Sequence, residues 1–200
     1  METHEKGLSP QESLELIRSM INKTKDSVAD DSFYFLLWGW LVFACCITQF
    51  ILKVYFHYPH HYFVWWLMPV GGVISAIYGS KQSRKQKVKS FVDESLEYLW
   101  ISLAIAFIVL VFINVLGKTS WQTAFTYYIL LYGIGTFVSG RLLRFRPLVI
   151  GGLINFALAA VSVKFSYDYQ ILIGSAAILI SYIIPGHLLR IRYQQHKNTN

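Results

Sequence analysis

The stretch Gly140-Arg141-Leu142-Leu143-Arg144-Phe145-Arg146 recurs almost letter for letter as Gly186-His187-Leu188-Leu189-Arg190-Ile191-Arg192. Each copy closes a long hydrophobic run with a glycine and then arginines. That pattern marks where a helix leaves hydrocarbon and meets an anionic, cytoplasm-facing surface. Working outward from it, the chain resolves into six apolar runs: 33–52, 62–79, 96–116, 121–140, 147–163 and 169–189. Each is near the roughly twenty residues a helix needs to cross about 30 Å of hydrocarbon. Helices alone satisfy the backbone inside lipid at such lengths, so the expected class is an all-α integral membrane protein.

Composition agrees. The chain is 54% hydrophobic and only 14% charged, where a water-soluble domain carries about 25% charged residues. Fifteen of its eighteen Lys and Arg residues fall in the N-terminal segment, the second-to-third and fourth-to-fifth connections, and the tail. Lys53, Lys118 and Lys164 fall in the alternate connections. This asymmetry predicts both termini in the cytoplasm, and it accounts for the net charge of +7 without a nucleic-acid partner. The first thirty-two residues are polar, so no secretory leader is expected.

Residues 1–32 form the expected cytoplasmic segment, 33–189 the bundle and 190–200 a cytoplasmic tail. Ser9-Pro10-Gln11-Glu12 reads as a helix opening with Ser9 as N-cap. Leu14, Ile17, Met20, Ile21, Thr24 and Val28 follow at helical spacing. That predicts a short amphipathic helix over 9–28, which lies on the bilayer, packs beneath the bundle or meets a cytoplasmic protein partner.

The copied heptads lie forty-six residues apart, and Lys118 maps onto Lys164 in the same register. Spans three–four and five–six therefore read as two copies of one hairpin, with the first hairpin a longer, divergent copy. The expected architecture is three helical hairpins. Gly71, Ser75 and Gly79, then Gly135 and Ser139, then Gly151, Asn155 and Ala159 form rows of small residues four apart, which predict close helix seams. A row left facing lipid would instead mark a homo-oligomer.

Chemistry is sparse. No ionisable residue sits at the centre of any span, where coupled carriers usually hold one. Asn155, Ser75 and Gln49 are the candidate intramembrane polar residues, either packing partners or ligand contacts. His57, His60 and His61 in the first outer loop are candidate metal ligands, with Asp168 as a fourth. Arg141, Arg144, Arg190 and Arg192 are candidate contacts to anionic lipid headgroups on the cytoplasmic side. Cys45 and Cys46 are adjacent and read as apolar fillers. P-loop, H-E-x-x-H and G-x-S-x-G patterns are absent, so neither an enzyme nor a cofactor is expected.

The stretch Phe33-Tyr34-Phe35-Leu36-Leu37-Trp38-Gly39-Trp40-Leu41, with its amphipathic lead-in and the basic connection Lys81–Lys89, resembles the opening of small multi-pass proteins of bacterial inner membranes. No activity is assigned to that group, so the resemblance implies a location and a fold only. The expected function is a regulatory or interaction module. The alternative is a small uncoupled channel or transporter for a small solute, with a path between the hairpins lined by Asn155, Ser75 and the glycine rows.

Overall fold

All six apolar runs are helical in the computed structural model, which describes residues 10–83, 91–117 and 121–198, with 10–31, 82–83, 193 and 196–198 as backbone alone. The helices are α1 (Pro10–Val54), α2 (Leu67–Ser83), α3 (Phe91–Leu116), α4 (Ala124–Leu142), α5 (Arg146–Ser162), α6 (Tyr167–Ile178) and α7 (Ile184–Asn198). Short 3-10 turns, His61–Trp66 and Trp121–Thr123, lead into α2 and α4, and no strand occurs among the described residues. Four stretches are long and apolar enough to cross a membrane: Ser32–Val54, His61–Lys81, Phe91–Leu116 and Tyr167–Arg192. The helix Arg146–Ser162 is apolar but shorter.

Two features depart from expectation. The lead-in is not a separate short helix: α1 runs unbroken from Pro10 through Asp30 and Asp31 to Val54. Aspartate has modest helix propensity but does not stop a helix as proline or glycine would. Ser9, the expected N-cap, lies outside the described residues, as do Lys118 and most of the basic stretch Lys81–Lys89. The last span is the second departure, because a π turn at Leu179–Ile183 joins α6 to α7. Such insertions rotate the side chains that follow and often occur at functional positions.

Close approaches fix the register. A Cβ added to Gly140 would sit 2.6 Å from the Val149 nitrogen, and one on Gly152 would sit 2.6 Å from the Phe137 nitrogen. These glycines let α4 and α5 run antiparallel almost in backbone contact, the closest pairing in the bundle. Gly39 faces Ile183 and Gly186 faces Leu36, which makes α7 antiparallel to α1. The tightest seams therefore join α4 to α5 and α1 to α6 and α7, across the expected hairpins rather than within them.

The core is built by α1, α4, α5 and α6–α7, around Phe35, Val42, Cys46, Phe125, Leu148, Ile171, Tyr182 and Leu189. Helices α2 and α3 pack at its margin. Only 6% of the apolar window of α2 and 11% of that of α3 is buried, against 56% for Tyr167–Arg192. The bundle is thus a four-rod centre with two largely exposed apolar helices.

Candidate functional site

Three groups of polar residues lie apart from one another in the bundle. At one end, Gln49 on α1 is 1% exposed and holds three partners. Its amide nitrogen donates to His61 Nδ1 at 3.2 Å and to the Tyr167 hydroxyl at 3.1 Å. Its oxygen accepts from the Trp65 indole at 2.7 Å. A buried amide needs such partners, since each orphaned polar group costs about 1–3 kcal/mol. One turn further, Lys53 pairs with Asp168 and lies over the Tyr167 ring, 4.3 Å from its centroid. Together these contacts fasten α1, the turn before α2 and the start of α6.

The expected metal ligands do not converge here. His61 is engaged by Gln49, and His60 stacks on Phe63 with its Nδ1 3.2 Å from the Tyr62 hydroxyl. His57 sits at a turn with φ 48°. Asp168 is taken by Lys53. No three His, Cys, Asp or Glu side chains form a metal-holding group among the described residues. The sequence could not forecast this, because loop spacing says nothing of where each imidazole finds its hydrogen bond.

The second group lies at the middle of the bundle, where the π turn meets α5. Asn155 is fully buried, and its amide nitrogen donates to Ser181 Oγ at 2.9 Å. Ser181 in turn donates to the Ala177 carbonyl at 2.7 Å. The amide oxygen of Asn155 has no protein partner, nor have the hydroxyls of Ser139 and Tyr182. Tyr182 is walled in by Phe35, Trp100 and Tyr132, with ring centroids 5.4, 5.9 and 5.2 Å away.

Ser75, expected on a common path with Asn155, lies elsewhere. It is on α2, where its hydroxyl accepts from the Trp38 indole at 3.1 Å. The glycine rows are filled by neighbours: Gly71 by Leu41, Gly79 by Tyr34, Gly135 by Trp100 and Gly151 by Ser181. These are helix seams and not the walls of a passage. A shallow surface groove of about 340 Å³ is lined by Ala76, Ile77, Ser80 and Lys81.

The third group is at the opposite end, where the two copied heptads meet. Arg141, Arg144, Arg190 and Arg192 are all exposed. The Arg192 guanidinium lies over the ring of Phe145, 5.9 Å from its centroid. Phe145 itself is 6% exposed and belongs to the core. Its backbone N–H donates to the Gly140 carbonyl at 2.9 Å, and Arg144 is held in the left-handed region at φ 51°. A left-handed non-glycine residue is uncommon and persists only where its surroundings impose it.

No protein-family model, no curated protein and no solved structure matches the chain.

Proposed function

We propose that the chain is a non-enzymatic regulatory or interaction protein of a bacterial inner membrane, working through the N-terminal half of α1. The observation that carries this reading is the unbroken course of α1 from Pro10 to Val54. At about 1.5 Å per residue its 45 residues extend about 68 Å, more than twice the hydrocarbon thickness of about 30 Å. Its distal half supplies Phe35, Val42 and Cys46 to the core and Gln49 to the outer polar group. A partner bound along residues 10–28 would therefore grip a rod that is continuous with the centre of the bundle. The amphipathic spacing of Leu14, Ile17, Met20, Ile21 and Val28 fits a helix-in-groove partner.

Six passages with both termini in the cytoplasm remain the favoured topology. The charge asymmetry supports it, and so does the alternation of antiparallel neighbours. Reporter fusions in the 57–60 loop and after Asn200 test it, expected on opposite sides of the membrane. The functional reading is tested by deleting residues 9–28 and cross-linking in membranes. Partners captured by the full chain should be lost while the thermal midpoint of the bundle is unchanged. Equal capture by the deleted chain overturns the reading.

The unpartnered carbonyl of Asn155 favours a second, weaker reading, a small uncoupled channel or transporter. Against it stands the separation of Ser75 from Asn155 and the filling of the glycine rows. Solute flux in proteoliposomes that is abolished by Asn155→Leu would support it, and flux indistinguishable from empty liposomes would remove it.

A further inference from the structure

The place where the two heptads meet has a property neither copy has alone. Arg144 and Arg146 flank Phe145 in the chain, and Arg192 arrives from α7 to lie over the Phe145 ring. Two exposed arginines thus adjoin one buried aromatic in the chain, and a third, from α7, lies over its ring. The first turn of α5 carries no acidic residue, and among the residues whose side chains are described none of these arginines enters an ion pair. Like charges on one surface repel one another, and a dianion or monoanion placed between them relieves that repulsion. The ring also holds Arg192 in place through cation–π attraction, while the planar guanidinium keeps its donors free for phosphate. Arg190, two residues earlier, projects about 200° round the helix from Arg192 and belongs to a different face.

We propose that Arg144, Arg146 and Arg192 form a binding site for the phosphate of an anionic phospholipid headgroup, with Phe145 as the positioning residue for Arg192. A lipid is preferred to free phosphate because the site lies where apolar helices end: Leu188 and Ile191, beside it on α7, are exposed. Acyl chains would run along such a surface while the headgroup meets the arginines. The proposal rests on the membrane reading of the chain and adds a ligand class to it.

The test uses the full chain, purified in detergent, with native mass spectrometry against phosphatidylglycerol, phosphatidylcholine and inorganic phosphate, and in parallel reconstitution into vesicles. Phosphatidylglycerol should be retained in preference to phosphatidylcholine. The triple variant R144Q/R146Q/R192Q should bind it about a hundredfold less tightly, about fivefold per arginine. R190Q should bind as the parent does. F145L, which keeps apolar packing but removes the ring, should bind with an intermediate affinity. Tryptophan-fluorescence melting checks that each variant is folded. Equal retention of both lipids, or a triple variant that binds like the parent, overturns the proposal. Displacement of the lipid by equimolar inorganic phosphate also overturns it, in favour of a free-anion site. A parent chain that fails to enter vesicles of either lipid overturns the membrane reading itself, which separates that failure from the others.

Discussion

The carbonyl oxygen of Gln49 accepts the Trp65 indole proton at 2.7 Å, locking the turn before α2 to the outer third of α1. The same amide also serves His61 and Tyr167, so one buried side chain ties three chain segments. Gln49→Leu should lower stability by about 2–3 kcal/mol, at roughly 1 kcal/mol per hydrogen bond lost. Thermal denaturation in detergent measures this. A loss under about 0.5 kcal/mol would show that the network is ornamental to the fold.

The neighbouring pair, Lys53 and Asp168, should matter much less. Their side chains are 31% and 39% exposed, so water and salt screen the attraction. Asp168→Asn should cost less than about 1 kcal/mol, and its effect should shrink further in high salt. A double-mutant cycle with Lys53→Gln isolates the coupling.

Glycine substitutions should divide sharply by position. Gly152→Ala drives a methyl to 2.6–2.8 Å of the Phe137 backbone, and Gly140→Ala drives one to 2.6 Å of the Val149 nitrogen. Backbone cannot swing aside as a side-chain tip can. Each should destabilise the bundle by about 2 kcal/mol or more. Gly72→Ala meets nothing within 4 Å and should be neutral, or stabilising by up to about 1 kcal/mol from helix propensity. Melting curves of the three variants compare them directly.

A proline placed in the N-terminal half of α1 should uncouple it from the bundle. Ala29→Pro removes a helical hydrogen bond and clashes with the preceding turn, at about 3 kcal/mol. Circular dichroism should show a loss of helix, while the bundle's own melting midpoint stays within a degree or two of the parent. A midpoint that falls steeply would mean that residues 10–28 help to hold the bundle together.

Much of the helical layout can be read from the one-dimensional pattern. Apolar runs of about twenty residues fall on helices throughout, and they miss chiefly the ends of the first and last. The continuity of α1 could not be read that way. Asp30 and Asp31 look like a boundary, yet nothing at that point breaks a helix. The π turn at Leu179–Ile183 is equally silent, since one extra residue in a hydrophobic run leaves no mark on composition. Choice of neighbour is the deepest gap. The close α4–α5 contact depends on Gly140 meeting Val149 and Gly152 meeting Phe137, a complementarity between two surfaces that periodicity in either one does not encode. The sites divide in the same way. Gln49 and Asn155 stand out as polar residues in apolar runs, but the pairing of Ser75 with Trp38 and of Lys53 with Asp168 depends on side chains brought together by packing.

The antiparallel seam between α1 and α6–α7 has a consequence for how the molecule is made. Lys53 and Asp168 lie 115 residues apart, and Gln49 and Tyr167 lie 118 apart. The first long helix to leave the ribosome is thus also the one whose buried face is completed by the last. Until α6 emerges, Gln49 lacks its Tyr167 partner and the face of α1 that meets α6 and α7 stays uncovered, and a chain stalled or cut before Tyr167 carries that open face with it. Quality-control proteases would meet such a product as an orphan helix, so truncation near the C-terminus should be read in cells as rapid turnover of the whole protein rather than as the loss of a tail.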